Sequence, residues 1–146
     1  MAVYNANNQI GTVYVGSNQV YSAEEVVRLE ITGQAYSGGN EQYNTYEKTY
    51  TVPAGVTKAT ITEFYIYENV YGVARGYLYF NNNTLIGSKE SHYNGVTNNL
   101  YNNITVPQTL NVKAGDVFKV VATGWTNNNV FSGLLYCTTG VYITFE

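Results

Sequence analysis

The sequence predicts an all-β protein, an antiparallel β-sandwich of jelly-roll-like type preceded by a short N-terminal strand or hairpin. Three observations carry this. Apolar and polar residues alternate at period two, Asn- and Gly-rich turn signals separate the alternating runs, and helical periodicity is scarce. Many short strands with frequent turns indicate a sandwich or barrel, and the abundant Tyr, Val and Thr agree by propensity.

Taken in chain order, Gly16-Ser17-Asn18 closes a small hairpin between TVYV and QVYS. Ser22-Ala23-Glu24-Glu25 has capping-box spacing, so a helical turn there competes with the strand reading. From Val26 onward the pattern favours a strand, because Val27, Leu29 and Ile31 alternate with Arg28, Glu30 and Thr32. The stretch YSGGNEQYN, residues 36–44, reads as a loop or linker. It divides an N-terminal segment, residues 1–33, read as an attachment arm, from a sandwich domain, residues 34–146.

Pro53-Ala54-Gly55 fits a type I turn with proline second and glycine fourth. Beyond it Ala59, Ile61, Glu63, Tyr65 and Tyr67 share a parity that mixes apolar with charged, which a bulge near Glu63 would repair. In YLYF, Tyr77 and Tyr79 share one face while Leu78 and Phe80 share the other. Asn81-Asn82-Asn83, Asn94-Gly95 and Asn127-Asn128-Asn129 suit turns, since asparagine tolerates positive φ. Phe118, Val120 and Ala122 form one face of a strand, as do Val141, Ile143 and Phe145. A weak echo links TVPAG at 51–55, TVP at 105–107 and KAGD at 113–116.

The 146 residues fit one domain, and 45% apolar content excludes a disordered chain. Charged residues make up 12%, about half the usual ~25%, and the net charge is −3. With no basic stripe, the expectation is no nucleic-acid partner and no anionic membrane partner. No run approaches the ~20 apolar residues of a membrane-spanning helix. The N-terminal residues lack the pattern of a signal peptide, so the chain is expected to be assembled inside the cell or to have lost a leader. Cys137, the single cysteine, is expected as a buried inert thiol within LLYC.

Catalytic chemistry is not expected. His92 is the only histidine and Asp116 the only aspartate, so a triad would have to use both. Each is better read as structural, Asp116 bonding nearby backbone at a strand start. No nucleophile elbow, phosphate loop or dinucleotide fingerprint is present, and the ligand sets for zinc or calcium are missing. Neither metal nor cofactor is expected. Binding is. A surface of tyrosine and asparagine offers large contact area and uncharged hydrogen bonds, which suits sugars or close apposition of subunits. The candidate ligand-binding residues are Trp125, Asn127 and Asn128 beside one loop, and Tyr43, Tyr46, Tyr93 and Tyr101 in or near Asn/Gly-rich segments. Core tryptophan and ordinary strand tyrosine are the structural alternatives.

The pieces YTVPAGVTKATI and LNVKAGDVFKVVATG resemble strand openings in small β-sandwich domains of bacteriophage virion proteins, such as tail, baseplate and fibre components. IGTVYVGSNQVYSA is similar to short N-terminal pieces of some tail-associated phage proteins. The resemblance implies a virion structural protein, assembled in the host cytoplasm, that contacts other virion proteins. It also implies a homo-oligomer, with a trimer favoured, and a host-surface carbohydrate as target. Lacking coiled-coil heptads and shaft repeats, the chain fits a compact tip or baseplate piece rather than a long fibre. A capsid decoration or head-fibre protein, or a secreted carbohydrate-binding module, are the competing expectations.

Overall fold

The structure is a computed structural model that describes residues 13–15, 18–21, 25–36, 44–68, 72–81, 84–93, 98–125 and 134–146. Among the described residues eleven strands run in chain order: β1 (Val13–Val15), β2 (Asn18–Tyr21), β3 (Glu25–Tyr36), β4 (Asn44–Thr51), β5 (Lys58–Glu68), β6 (Gly72–Phe80), β7 (Thr84–Tyr93), β8 (Asn98–Asn102), β9 (Gln108–Asn111), β10 (Val117–Trp125) and β11 (Leu134–Phe145). β1 and β2 pair with each other as the expected N-terminal hairpin. The rest form a four-stranded sheet, β3-β11-β5-β9, and a five-stranded sheet, β4-β10-β6-β7-β8. All pairings are antiparallel. With β8 set aside as an added edge strand, this is the order of an eight-stranded jelly roll.

Three expectations meet a definite outcome here. β3 pairs with β11 along its whole length, so the boundary expected after residue 33 falls inside a sandwich strand. Residues 25–33 belong to the four-stranded sheet, because their inward residues, Leu29 among them, bury against its core. The bulge expected near Glu63 exists: Tyr142 lies opposite Glu63 and Ile143 opposite Ile61, leaving Thr62 extra. It moves Phe64 into the core and turns Glu63 and Tyr65 outward, which repairs the mixed parity. The Pro53–Gly55 turn differs from expectation. It runs through Ala54 and Gly55, and Gly55 has a φ of 92°, so the glycine sits third, where a type II turn requires positive φ.

The sequence echo also acquires a cause. Lys113–Asp116 is a second turn of this kind, closed by Asp116 N–H donating to Lys113 C=O, with Gly115 at φ 86°. The two Ala-Gly turns are the corners where the chain passes between sheets, β4 to β5 and β9 to β10. They lie side by side, since Val52 N–H donates to Asp116 C=O and Gly115 N–H donates to Val52 C=O. Similar corners with the same geometric demand arrive at similar residues.

The core is graded from one end to the other. Near the two corners Phe64, Phe118 and Phe145 are fully buried, and Phe118 packs on both Phe80 and Phe145 at 5.1 and 5.9 Å between ring centres. Toward the opposite end the buried cluster among the described residues is Ala74, Ala122 and Cys137, with Ile31 and Ile66 packed against it. There a Cβ on Gly76 would stand 2.7 Å from the Thr139 side chain of the facing sheet, which fills the space a larger residue at 76 would need.

Candidate functional site

Period-two geometry places Arg28, Glu30 and Thr32 of β3 on the solvent side of the four-stranded sheet. The registers set Arg28, Tyr142 and Glu63 in one row, Glu30, Gly140 and Tyr65 in the next, and Thr32, Thr138 and Tyr67 in a third. Gly140 decides the middle row. A Cβ there would fall on the Tyr65 ring, so the tyrosine lies flat across β11 and reaches β3. Its hydroxyl donates to Glu30 Oε2 and accepts from Arg28 Nε at 3.0 Å. Arg28 Nη2 donates to the same Glu30 oxygen at 2.5 Å, and the guanidinium stands 5.7 Å from the Tyr142 ring centre and 5.9 Å from that of Tyr65. The two tyrosine rings are 6.0 Å apart.

The electrostatics follow from these bonds. The Tyr65 hydroxyl, with Arg28 behind it, holds the Glu30 carboxyl below its usual range against a smaller opposing effect of burial. Burial first, and the bond to Glu30 second, push the Tyr65 phenol up. The hydrogen bonds that Arg28 donates to Tyr65 and Glu30 push its own titration up. Glu30 is therefore a firmly ionised acceptor with lone pairs to spare, beside a guanidinium and tyrosine rings. Tyr67, 63% exposed, extends the face. Such a surface can stack the C–H face of a sugar and bond its hydroxyls.

The five-stranded sheet presents a second polar face. Lys119 Nζ lies 5.2 Å from the Tyr79 ring centre and 3.6 Å from a Glu47 oxygen, and Tyr77 and Tyr79 are 6.2 Å apart. Arg75 pairs with Glu90 alongside.

The residues singled out from sequence fall as follows. Trp125 ends β10 opposite Val73, and Tyr93 ends β7 opposite Gly72 and Asn98, so these two lie at the same end of the five-stranded sheet. Tyr101 lies opposite Glu90, three rows further in. Tyr46 is not on a loop but within β4. Its ring packs over Gly33 of the facing sheet and remains 37% exposed. Tyr43, Asn127 and Asn128 lie outside the described residues. Sequence reading missed Arg28, Glu30, Tyr65, Tyr67 and Tyr142 as a group. The alternation of Arg28 and Glu30 and the odd parity of Tyr65 and Tyr67 were the available signals.

His92 and Asp116 are far apart. His92 pairs with Val73 in the row of Trp125, while Asp116 precedes Val117 at the other end of β10. The nine residues between those positions span about 30 Å at ~3.3 Å each, so no triad can use both. Asp116 is buried and accepts from Lys113 N–H at 2.9 Å and from Asn81 Nδ2 at 3.1 Å. Asn81, at φ 49°, in turn accepts from Val117 N–H at 3.0 Å, which pins the β6–β7 turn to the adjacent corner. Cys137 is buried, its thiol 3.5 Å from Thr123 C=O. Among the described residues no cluster of three His, Cys, Asp or Glu could hold a metal ion. Compared with protein-family models, curated proteins and solved structures, the chain matches none.

Proposed function

We propose that the chain is a non-enzymatic structural protein of a bacteriophage virion, a tail, baseplate or fibre component, that assembles with itself and contributes to attachment to host-surface carbohydrate. The observation that carries the binding part is the outer face of the four-stranded sheet. Tyr65 and Tyr142 flank Arg28 there, and Glu30 accepts bonds beside them. The virion part rests on the resemblance of the two corner segments, 50–61 and 110–124, to strand openings of phage structural proteins. Affinity comes from ring stacking and hydrogen bonds to neutral hydroxyls, multiplied by copy number. It therefore depends little on ionic strength.

The test is binding of the purified protein to bacterial cell-wall preparations and to an array of neutral glycans, with Tyr142→Ala, Tyr67→Ala and Trp125→Ala compared. The expected result is binding that survives high salt and falls at least tenfold in Tyr142→Ala, with the fold intact by circular dichroism. Failure of the parent protein to bind any cell wall or glycan would overturn the attachment reading. Loss of binding in Trp125→Ala alone would move the site to the end of the five-stranded sheet.

A further inference from the structure

The sandwich has four edge strands, and three of them carry recognisable protection against pairing with another chain. β9 and β8 are short, at four and five residues, and β4 exposes adjacent Glu47 and Lys48. β3 also carries charge, Glu25, Arg28 and Glu30, but of both signs and at spacings that can pair with a second copy. It is twelve residues long, contains no lysine or proline, and pairs with β11 without a register break. Among the described residues no strand pairs with its other edge. Val26, on the outer face of this strand, is 61% exposed, and Val27 and Ile31 on the inner face are only partly buried.

We infer that the β3 edge pairs with the β3 edge of a second copy of this chain, antiparallel about a two-fold axis through Leu29, joining two four-stranded sheets into one of eight strands. The charges select the register. A two-fold axis normal to a sheet must pass a residue and keep faces matched, so neighbouring registers differ by one centring residue. Centring on Arg28 sets arginine against arginine, and centring on Glu30 sets glutamate against glutamate. Centring on Leu29 sets each Arg28 opposite the partner's Glu30, Val26 opposite Thr32, and Val27 opposite Ile31. On either side of the Leu29–Leu29 centre, opposite charges and then β-branched pairs face each other, the favourable cross-strand combinations. Arg28 already bonds its own Glu30 and has donors left for a second carboxylate. The pairing would also lay the two Arg28–Glu30–Tyr65 faces side by side on one continuous surface.

This inference deepens the self-assembly part of the proposal above and is independent of the ligand. Light scattering across a concentration series should take the parent protein to twice 16.2 kDa. Arg28→Glu and Glu30→Arg should each weaken self-association about tenfold or more, because each homodimer then opposes like charges twice. An equimolar mixture of the two variants should recover the dimer mass, since the paired acidic side chains of the Arg28→Glu chain face the paired arginines of the Glu30→Arg chain. Breakage of the bond within each chain cannot explain that recovery. In a second test that leaves the charges intact, oxidised Val26→Cys/Thr32→Cys should form a covalent dimer while neither single variant does. Within one chain those positions are about 20 Å apart, too far for a disulfide. A mixture that stays monomeric, or a double-cysteine variant that does not cross-link, overturns the inference. A parent trimer would overturn it while leaving self-assembly standing. A parent monomer at every concentration would overturn both.

Discussion

The two ends of the sandwich are built from different materials. At the corner end, tight turns carry the chain between sheets, and aromatic residues hold the sheets apart: Tyr50 stacks on Phe145 at 5.2 Å and Phe118 lies edge-on to Phe145 at 5.9 Å. At the other end, among the described residues, Gly33 and Gly76 take in the Tyr46 and Thr139 side chains of the facing sheets, and Ala74 and Ala122 are small. The connections there, 37–43, 69–71, 94–97 and 126–133, are rich in Asn, Gly and Tyr and carry a single charge, Glu41. The large aromatic residues described in the core sit under the corners.

The strongest test of this contrast is Phe118→Ala. Its ring is fully buried between Phe80 and Phe145, so truncation should cost about 3–5 kcal/mol, read as a lowered denaturation midpoint. A cost below about 1 kcal/mol would show that the corner end does not anchor the fold. Gly76→Ala comes next. A methyl group 2.7 Å from the buried Thr139 side chain must displace that side chain or part the sheets, at about 1–3 kcal/mol. Were Gly76→Ala neutral, the close approach would be loose rather than packed.

Thr139→Val should act in the opposite direction. Thr139 Oγ1 is buried without a partner, and an isosteric methyl removes that penalty, so stability should rise by about 1 kcal/mol. A fall instead would mean that the hydroxyl holds something at the narrow end.

The smallest effect concerns the cluster between the two ends. Glu30 titrates below its usual range in the folded protein, so its contribution is present above the unfolded value and fades as pH falls through the folded one. Tyr65 titrates above its usual range, so its contribution is complete below the unfolded value and fades as pH rises through the folded one. The melting difference between the parent and Tyr65→Phe should therefore be flat from about pH 5 to 9 and shrink on both sides. A difference constant across the whole range would remove Tyr65 and Glu30 as a coupled pair.

Much of the sandwich was legible in the order of residues. Period-two runs at 27–31, 118–122 and 141–145 each marked a strand and its buried face, because alternation is a local consequence of the pleat. Even the β5 bulge left a trace, since one extra residue inverts parity wherever it occurs. The boundary read after residue 33 lies within β3, and the reason is physical. A Gly-rich stretch looks the same whether it ends a domain or joins two strands of one, and only the β11 partnership distinguishes them. The outer-face cluster was less legible still. Arg28, Tyr65 and Tyr142 lie on three strands far apart in sequence, and their meeting depends on Gly140, whose missing side chain has no meaning until Tyr65 is known to lie over it.

The sequence by itself determined the strands, their inward faces, the turn glycines and the low charge, all of which are set by neighbours within a few residues. Tertiary structure alone decided which strands became edges, how the core narrows from Phe118 to Gly76, and which polar side chains share a face. Those properties belong to pairs of residues separated along the chain by 35 or more, such as Glu30 with Tyr65, and no local pattern encodes a pairing at that distance.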